Sequence, residues 1–406
     1  RVTDYRTDPD LAEMLVKRSF DTVMWLRSMG IRYMPKYGKQ AFKVDGRFKF
    51  SGGVVCEVYG GGPGLVQSLY KLAGDRGIQI RFNARALNLI HDDTGVHGVN
   101  ARVDGKTIAI RSKAVVLACG GFEANSEMRA RYLGPGWDMI HLRGVPFNTG
   151  DGLKMAMDIG AMPYGSWSTC HASPQDIALP KFTVPSAHSL KDSQTRYMYP
   201  WGIMVNTNAE RFIDEAYDTR GRTYAAMGRS ILAQPGGIAY QILDAKIRKM
   251  NLYTPNYQSA TTVKADTLEK LGAELDLDVP KFVKTVRDFN AAVQPGKYNP
   301  DRHQLDGKCT AGITPPKTNY ALEIDEPPFE AFPVRCGMTF AFGGLKIDPK
   351  SSQVQHVAGR PIPGLYAAGE MAGGLWVGNY ASGSGMMAGA TFGRIAGAHA
   401  AAAAIA

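Results

Sequence analysis

The stretch from Pro361 to Gly385 constrains the fold of this chain more than any other segment. Its first part is an apolar run that predicts a buried strand ending at Gly369 and Glu370. Further glycines follow, and a helix of small residues is predicted from about Ser384. A strand end without side chains lets the backbone approach a flat ring, and a helix N-terminus directs N–H groups at an anionic atom. The segment therefore predicts a nucleotide-cofactor site.

A second apolar run, residues 114–118, ends in Cys119, Gly120 and Gly121. Such a continuous run is typical of a parallel strand covered on both faces, so we expect it at the centre of a sheet. Other patterns in this half predict a helix over 10–30, a hairpin over 41–50 turning at Asp45-Gly46, a helix over 65–74, a strand over 78–82 and two strands across 91–110. The first half is thus a mixed α/β region with an additional antiparallel piece.

The composition changes after about Gly165, where Pro, Tyr, Trp and Met become frequent and long loops are expected from 166 to 200. Glycine and other small residues become frequent again near Cys336. We therefore predict one interrupted domain, with a first part over 1–165 and a second part over 336–406, and an inserted domain over 166–335. A chain of 406 residues is long enough for two cores.

The formal charge of +10 comes from scattered Lys and Arg residues without a run of five or six, so we expect an anionic small molecule and no nucleic-acid partner. The five cysteines have no C-x-x-C spacing, which argues against a disulfide framework and favours a reducing compartment. No stretch approaches the roughly 20 apolar residues that cross a bilayer. We expect a cytoplasmic protein that does not span a membrane.

The segment from Pro361 to Gly385, together with residues 392–397, resembles the C-terminal flavin-binding segment of the fumarate reductase and succinate dehydrogenase flavoprotein family. The resemblance extends back through 115–122, 149–153 and 203–215 in the family order. Within the family, Asp214-Glu215 with Asp218 and Arg220, then 343–348 and 378–380, are most similar to tricarballylate dehydrogenase. This implies an α/β FAD-binding domain with an inserted α+β capping domain.

The resemblance also implies which residues bind the FAD. They are Ala86, Ala118, Cys119, Gly120, Gly121, Asp151, Gly369, Glu370, Asn379, Ser384, Gly385 and Met386. Among them, Glu370 is expected to accept hydrogen bonds from sugar or ribityl hydroxyls. Gly385 is expected to let the last helix approach the flavin closely.

Family members begin with a strand, a G-x-G-x-x-G turn and a helix that holds the FAD pyrophosphate. This sequence does not contain that unit, because the cluster from Gly60 to Gly64 follows no apolar strand and has the wrong spacing. We therefore expect an incomplete FAD-binding domain that lacks the glycine-rich unit. An alternative of another class is a truncated or partner-dependent chain without activity by itself.

The resemblance to this family implies a reaction in which a hydride is transferred between flavin N5 and a substrate carbon next to a carboxylate, while an arginine moves a proton. Arg220 matches that arginine, with Asp218 and Glu215 as the nearby carboxylates. One residue more than usual separates Arg220 from Glu215, so Arg222 is the reserve candidate. The alternative for Arg220 is an exposed or ion-paired side chain.

His171 matches a family histidine that binds a substrate carboxylate, although a lone histidine is otherwise more often structural. Arg196 lies near the second arginine of the family's proton relay. The glutamate that usually accompanies that arginine is replaced here by Ser193, so the carboxylate of the relay is missing from its usual place.

Fumarate reductases clamp one substrate carboxylate with a histidine and an arginine, where this chain has Phe340 and Tyr380. Plain fumarate or succinate is therefore not expected. The leading expectation is oxidation of a polycarboxylate such as tricarballylate to its alkene, with an unidentified electron acceptor. Tyr380 also resembles the carbonyl-binding tyrosine of 3-ketosteroid dehydrogenases, so steroid or enone chemistry is the alternative. Packing of Tyr380 against the flavin edge is a third possibility.

Overall fold

The computed structural model describes residues 2–37, 41–44, 47–50, 56–183, 194–300 and 304–405. The chain divides into unit 1, residues 1–138, 146–170 and 340–406, and unit 2, residues 139–145 and 171–339. Two boundaries fall inside long strands, after residue 170 and after residue 339. The short segment 139–145, which the sequence pattern places in the first domain, belongs to unit 2.

The elements below are those of the described ranges. The helices are α1 (Pro9–Ser28), α2 (Gly61–Asp75), α3 (Ser126–Leu133), α4 (Asp151–Met157), α5 (Arg220–Leu232), α6 (Ala245–Lys249), α7 (Leu268–Glu274), α8 (Val279–Ala292) and α9 (Ser384–Ile405). The strands are β1 (Tyr33–Pro35), β2 (Ala41–Val44), β3 (Arg47–Phe50), β4 (Cys56–Val58), β5 (Ala84–Asp92), β6 (Gly95–Val103), β7 (Lys106–Arg111), β8 (Val115–Leu117), β9 (His141–Leu142), β10 (Pro163–Asp176), β11 (Ile203–Asn206), β12 (Ile238–Leu243), β13 (Val263–Ala265), β14 (Phe329–Leu345), β15 (Gln353–Gln355) and β16 (Pro361–Ala367).

In unit 1, β16 pairs in parallel with β8, so that Ala367 lies opposite Leu117, and β15 pairs with the other edge of β16. The parallel pairing brings two strands distant in sequence to the same sheet end. The prediction of a central position for β8 is wrong for the described part of the chain, where β16 is its one neighbour. Accordingly, the side chain of Val116 is 39% exposed.

Strands β5, β6 and β7 form an antiparallel meander that confirms the two strands expected across 91–110. The β2–β3 hairpin is confirmed as well, and its predicted turn at Asp45-Gly46 lies outside the described residues. The strand expected over 78–82 is wrong. Ile78 instead donates its backbone N–H to Ala73 and closes α2, and the side chain of Phe82 is 67% exposed. Residues 78–82 gain no ladder of hydrogen bonds among the described strands, which a strand requires.

Helix α1 begins as its sequence predicts, because the Asp8 carboxylate accepts the N–H groups of Asp10 and Leu11 and Pro9 occupies the first turn. Helix α2 begins at Gly61, four residues earlier than expected, after Gly60 in the left-handed conformation. The C-terminal helix α9 begins at Ser384 as predicted and buries Phe392 completely. Within the ranges that the structure describes, no helix is both long and apolar enough to cross a membrane.

Unit 2 is built on an antiparallel sheet in which β11, β12 and β14 are successive neighbours. Strand β13 also pairs with β14 antiparallel, and β9 pairs with it in parallel through Gly337 and Met338. Helix α8 buries Phe282 and Phe289 in a core with Ile242 of β12. The sheet and its helices give unit 2 a hydrophobic core of its own.

Strand β10 occupies part of the segment in which long loops were expected. Its residues from Cys170 to Asp176 are all buried, although His171, Ser173, Gln175 and Asp176 are polar. A strand buried on both faces has no alternation of polar and apolar residues, and polar residues at buried positions remove the apolar signal as well. The sequence pattern therefore hides this strand.

Candidate cofactor and substrate sites

The first candidate site lies in unit 1 where β8 and β16 end side by side. Ala368 donates its backbone N–H to Leu117 over 3.0 Å, which extends the parallel pairing to the strand ends. Beyond them, Ala118 and Cys119 are exposed, and Gly369 has a φ of +70°. A Cβ built on Gly369 would lie 3.8 Å from the Cα of Gly389 in α9, so the helix backbone comes close to the strand end. We call residues 118–121 with Gly369 and Glu370 the cofactor strip.

Helix α9 starts next to the cofactor strip. The hydroxyl of its first residue, Ser384, accepts the indole N–H of Trp376 over 2.8 Å. The N–H of Gly385 donates to the phenol oxygen of Tyr380 over 2.9 Å. Met386 is 44% exposed. Tyr380 is therefore held at the helix N-terminus, where it satisfies one of the N–H groups that a helix leaves open.

The three other residues expected to bind FAD also lie in unit 1. Asp151 begins α4, and its carboxylate accepts from the guanidinium of Arg85 over 2.9 and 3.0 Å. Arg85 is the neighbour of Ala86 in β5. Asn379 accepts the backbone N–H of Tyr380 through its side-chain oxygen over 2.8 Å. All the expected cofactor residues are thus in unit 1, distributed over its three segments of sequence.

Two carboxyl groups face each other behind the cofactor strip. A Cβ built on Gly121 would approach Glu123 Oε2 at 2.8 Å and would lie closer still to Glu370 Oε1. The Glu370 oxygen accepts the N–H of Ala341 over 2.8 Å, and Glu123 accepts from the side-chain amide of Asn148. Burial raises the pKa of both groups, and the facing Glu123 carboxylate raises the pKa of Glu370 further.

Two buried carboxyls this close cannot both ionise without strong repulsion, so they share one proton at neutral pH. Arg129 lies nearby, but it donates to the backbone oxygens of Trp137, Glu123 and Asp138. Glu370 thus has partners within the protein, in addition to the cofactor hydroxyls that the sequence suggested for it.

The cofactor strip fits FAD. Small exposed residues at the carboxyl ends of parallel strands, beside a helix N-terminus, are where open α/β sheets bind nucleotides. The N-terminus of the 22-residue helix α9 favours a negatively charged atom. Ala118, Cys119 and Gly369 would leave room for a flat ring, and the exposed Met386 would be covered by it.

A second candidate site lies in unit 2 around His171. This histidine is buried, and its ring packs edge-on against Tyr224 with centroids 5.2 Å apart. Tyr224 in turn packs against Tyr197 at 5.3 Å. Burial lowers the pKa of His171 well below its usual 6.5, and the positive charge of Arg143 lowers it further. The imidazole is therefore neutral at physiological pH, and it can act as a hydrogen-bond partner without adding charge.

Arg143 belongs to the same site, although nothing in the sequence points to it. It lies in the 139–145 segment and donates from Nη1 to the Tyr197 hydroxyl over 3.0 Å. The Tyr197 hydroxyl donates onward to Ser173 over 3.1 Å. Among the residues that the structure describes, no Asp or Glu forms an ion pair with Arg143. This guanidinium is half-buried, so its charge is only partly screened by water.

Arg220 is the first residue of α5. Burial lowers the pKa of its guanidinium, while tyrosines within electrostatic range, Tyr197 and Tyr224 among them, oppose that change. No acidic side chain in the described ranges forms an ion pair with Arg220. The site in unit 2 thus combines two arginines with two tyrosines and one histidine. We call this set the arginine–tyrosine cluster: Arg143, His171, Tyr197, Arg220 and Tyr224.

Arg222, the reserve candidate, differs from Arg220 in its surroundings. Its side chain is 52% exposed and lies 3.5 Å from the Asp218 carboxylate. The other expected relay carboxylate, Glu215, is fully buried and accepts from Met204 N–H over 2.8 Å and from Arg211 over 2.7 Å. The expectation that Glu215 accompanies Arg220 therefore needs correction, because Glu215 forms its ion pairs with Arg211 at 2.7 Å and with Lys317 at 3.7 Å.

Arg196 is completely buried and forms an ion pair with Asp176 at 2.7 Å. The expected position of its partner, Ser193, lies outside the described residues. Burial opposes ionisation of Asp176, but hydrogen bonds from Thr261 and Ala178 and the charge of Arg196 outweigh it and lower the pKa of Asp176. A carboxylate from β10 thus accompanies Arg196, and the sequence offered no signal for that pairing.

Tyr380 and Phe340 belong to an aromatic group in unit 1. The Phe340 ring packs edge-on against Tyr380 at 5.3 Å and against Trp376 at 5.2 Å. Phe340 and Tyr380, the two positions at which the sequence predicts no carboxylate clamp, therefore contact each other in unit 1.

Comparisons with known proteins identify the family of this chain. The model of a family described as "FAD binding domain" matches residues 1–386. The chain is 32% identical over 402 residues to the probable fumarate reductase Ifc3 of Shewanella frigidimarina, and the match covers 98% of this chain and 62% of that relative. The chain thus spans about three fifths of the length of this curated relative.

Solved structures give the same result. The open conformation of a flavocytochrome c3 fumarate reductase superposes with a TM-score of 0.72 at 28% identity, over 99% of this chain and 65% of that one. A 3-ketosteroid delta1-dehydrogenase from Sterolibacterium denitrificans also has a TM-score of 0.72, over 99% of this chain and 87% of that one. Its identity is 22%, so this second likeness concerns the fold alone.

Proposed function

Because this chain belongs to the FAD binding domain family, that of the fumarate reductase and succinate dehydrogenase flavoproteins, we propose that it carries out FAD-dependent oxidation of a polycarboxylate to its alkene. Tricarballylate is the substrate that we put forward. The observation that carries the proposal is the arginine–tyrosine cluster, in which two arginines have no acidic partner among the described residues. Such a cluster suits a substrate that brings its own carboxylates.

The cofactor strip would hold the FAD in unit 1. When bound, FAD supplies the acceptor for a hydride taken from the substrate. The exposed backbone of Ala118 and Cys119 would line the ring, and the first turn of α9 would face its anionic atoms. The shared proton keeps the net charge of Glu123 and Glu370 near −1, which limits the repulsion of an anionic cofactor.

Arg220 would take the proton that leaves the substrate. An arginine acts as a base only if its pKa is lowered, and burial lowers the pKa of Arg220. Arg220 has no paired carboxylate in the described ranges, which also favours a low pKa, since an ion pair would stabilise the protonated form. His171, neutral through burial, would hydrogen-bond a substrate carboxylate. Arg196 and Asp176 would form the next pair of the proton relay.

A second candidate function is oxidation of a 3-ketosteroid or another enone precursor. The observation that favours it is the aromatic group of Phe340, Trp376 and Tyr380, which would suit an apolar ketone better than a carboxylate. In that case the Tyr380 phenol would donate a hydrogen bond to the carbonyl oxygen. The two arginines of the cluster would then have no role in substrate binding.

Flavin absorbance separates these functions. Protein reconstituted with FAD is mixed without oxygen with tricarballylate or with a 3-ketosteroid, and loss of the flavin bands is followed. Bleaching by tricarballylate alone supports the proposal, and bleaching by the steroid alone contradicts it. Flavin bands that form only when a polypeptide with a G-x-G-x-x-G unit is added would support the partner-dependent alternative.

Cytoplasmic location stays a prediction. No disulfide joins any of the five cysteines, all of which lie in the described ranges.

A further inference from the structure

Unit 2 contains arginines of two kinds. Arg196, Arg211 and Arg222 each lie within 4 Å of a carboxylate, at 2.7, 2.7 and 3.5 Å. Arg143, Arg220, Arg229 and Arg335 have no such partner among the residues described, and the first two belong to the arginine–tyrosine cluster. A partly buried arginine without a partner destabilises the fold, because only an opposite charge or hydrogen bonds offset the desolvation of its guanidinium. A bound anion would provide that opposite charge.

The neighbours of Arg143 show how that guanidinium is oriented. Its Nη1 donates to the Tyr197 hydroxyl, which leaves other N–H donors of the five that an arginine carries. The Tyr197 hydroxyl is itself fixed by its bond to Ser173, and Ser173 accepts from the Gln175 amide over 2.8 Å. A chain of buried and half-buried polar groups therefore holds the guanidinium in place before any ligand arrives. Preorganised donors bind an anion at a lower cost in entropy.

His171 and Tyr224 connect Arg143 to Arg220. The charge of Arg143 acts on the His171 ring, that ring packs on Tyr224, and Tyr224 and Tyr197 lie within electrostatic range of Arg220. We infer that Arg143 is a second carboxylate anchor of the cluster, and that it selects substrates with carboxylates on at least two carbons. This inference rests on the proposed function and names a residue that the resemblance to the family did not supply.

The inference is tested by binding and by turnover. Calorimetric titration with tricarballylate is carried out on the FAD-loaded wild type and on Arg143→Gln, with Arg287→Gln as the control. Arg287 is exposed on α8 and pairs with Glu269 at 3.3 Å, so the control removes an equal charge from the surface. We expect the Kd for tricarballylate to rise about 10- to 100-fold in Arg143→Gln and to stay unchanged in the control. Butyrate, with one carboxylate, should bind equally to all three proteins.

Two further variants keep the test decisive if Arg143→Gln does not fold. Arg143→Lys retains the charge but loses the planar fork, and we expect a smaller rise in Kd. Tyr197→Phe removes the hydroxyl that orients Arg143 and leaves the charge in place, so Kd should rise moderately with little change in kcat. Equal affinity of wild type and Arg143→Gln for tricarballylate overturns the inference, as does a wild type that binds no polycarboxylate. Tight binding without turnover overturns the proposed function and leaves the anchor intact.

Discussion

The two candidate sites have opposite imbalances of charge. Behind the cofactor strip of unit 1, Glu123 and Glu370 face each other, and the nearby Arg129 donates to backbone oxygens. In the arginine–tyrosine cluster of unit 2, Arg143 and Arg220 have no carboxylate partner among the described residues. A bound proton reduces the repulsion between the two carboxyls of the first site, and a bound anion would neutralise the positive charge of the second site.

This difference indicates which site depends on an external ligand. A carboxyl pair that retains one proton carries a single negative charge and a hydrogen bond, so it needs no other molecule for its stability. The guanidinium groups of the cluster have no carboxylate partner among the described residues, and they complete their contacts when an anion binds. Unit 1 is therefore expected to tolerate changes that keep the proton, while unit 2 is expected to respond sharply to changes of its arginines. The four predictions below test that contrast, in order of decreasing effect.

The largest effect is expected for Arg220→Lys. Lysine keeps the charge but loses the planar fork, so tricarballylate should bind with nearly unchanged KM while kcat falls about 10²- to 10⁴-fold. Steady-state rates with an artificial electron acceptor measure both constants. Arg222→Lys should change kcat only slightly, because that side chain is half-exposed and lies beside Asp218. Equal, mild losses at both positions would break the contrast and move the search for the proton acceptor to Tyr380.

Asp176→Asn tests the compensated pair of unit 2. The change leaves the fully buried Arg196 without its carboxylate, and we expect a loss of about 3–5 kcal/mol in the free energy of unfolding. Denaturant titration measures it. Glu269→Gln, which breaks the exposed pair with Arg287, should cost about 0–1 kcal/mol. Because the pKa of Asp176 is lowered in the folded state, its stabilisation is present at neutral pH and lost as the pH falls through that value.

The two sites also differ in how far the sequence predicted them. The cofactor strip consists of short contiguous motifs at strand ends, and small residues before a helix have a recognisable pattern. The arginine–tyrosine cluster joins Arg143, His171 and Arg220, which come from three separate segments. No local pattern reports that Arg143 donates to Tyr197 or that Asp176 pairs with Arg196, because those contacts depend on the tertiary packing. For the same reason the sequence predicts loops where the buried polar strand β10 lies.

Gly121→Ala tests the tight packing of the cofactor strip. Its Cβ would approach the Glu123 and Glu370 carboxyls too closely, so the pair must shift, with an expected loss of about 1–3 kcal/mol and lower FAD occupancy. Thermal unfolding and the ratio of flavin to protein absorbance are the measurements. Gly74→Ala in α2 is the matched control, since a Cβ there meets nothing within 4 Å and alanine favours a helix. Full flavin occupancy in Gly121→Ala would count against the placement of the cofactor.

The smallest effect is expected for Glu370→Gln, and it appears as a change in pH dependence. Burial and the Glu123 charge raise the pKa of Glu370, so the folded state holds a proton that the unfolded chain releases near its usual 4.5. The stability that this proton contributes is complete below that pH and is lost as the pH rises towards the folded pKa. Glutamine needs no proton, so Glu370→Gln should match the wild type at acid pH and exceed its Tm by roughly 1–3 °C at alkaline pH. Glu123→Gln should flatten the wild-type slope in the same direction, because it removes the charge that Glu370 faces. If the Tm of the wild type does not fall as the pH rises, Glu123 and Glu370 hold no shared proton. The two sites would then differ less than their geometry indicates.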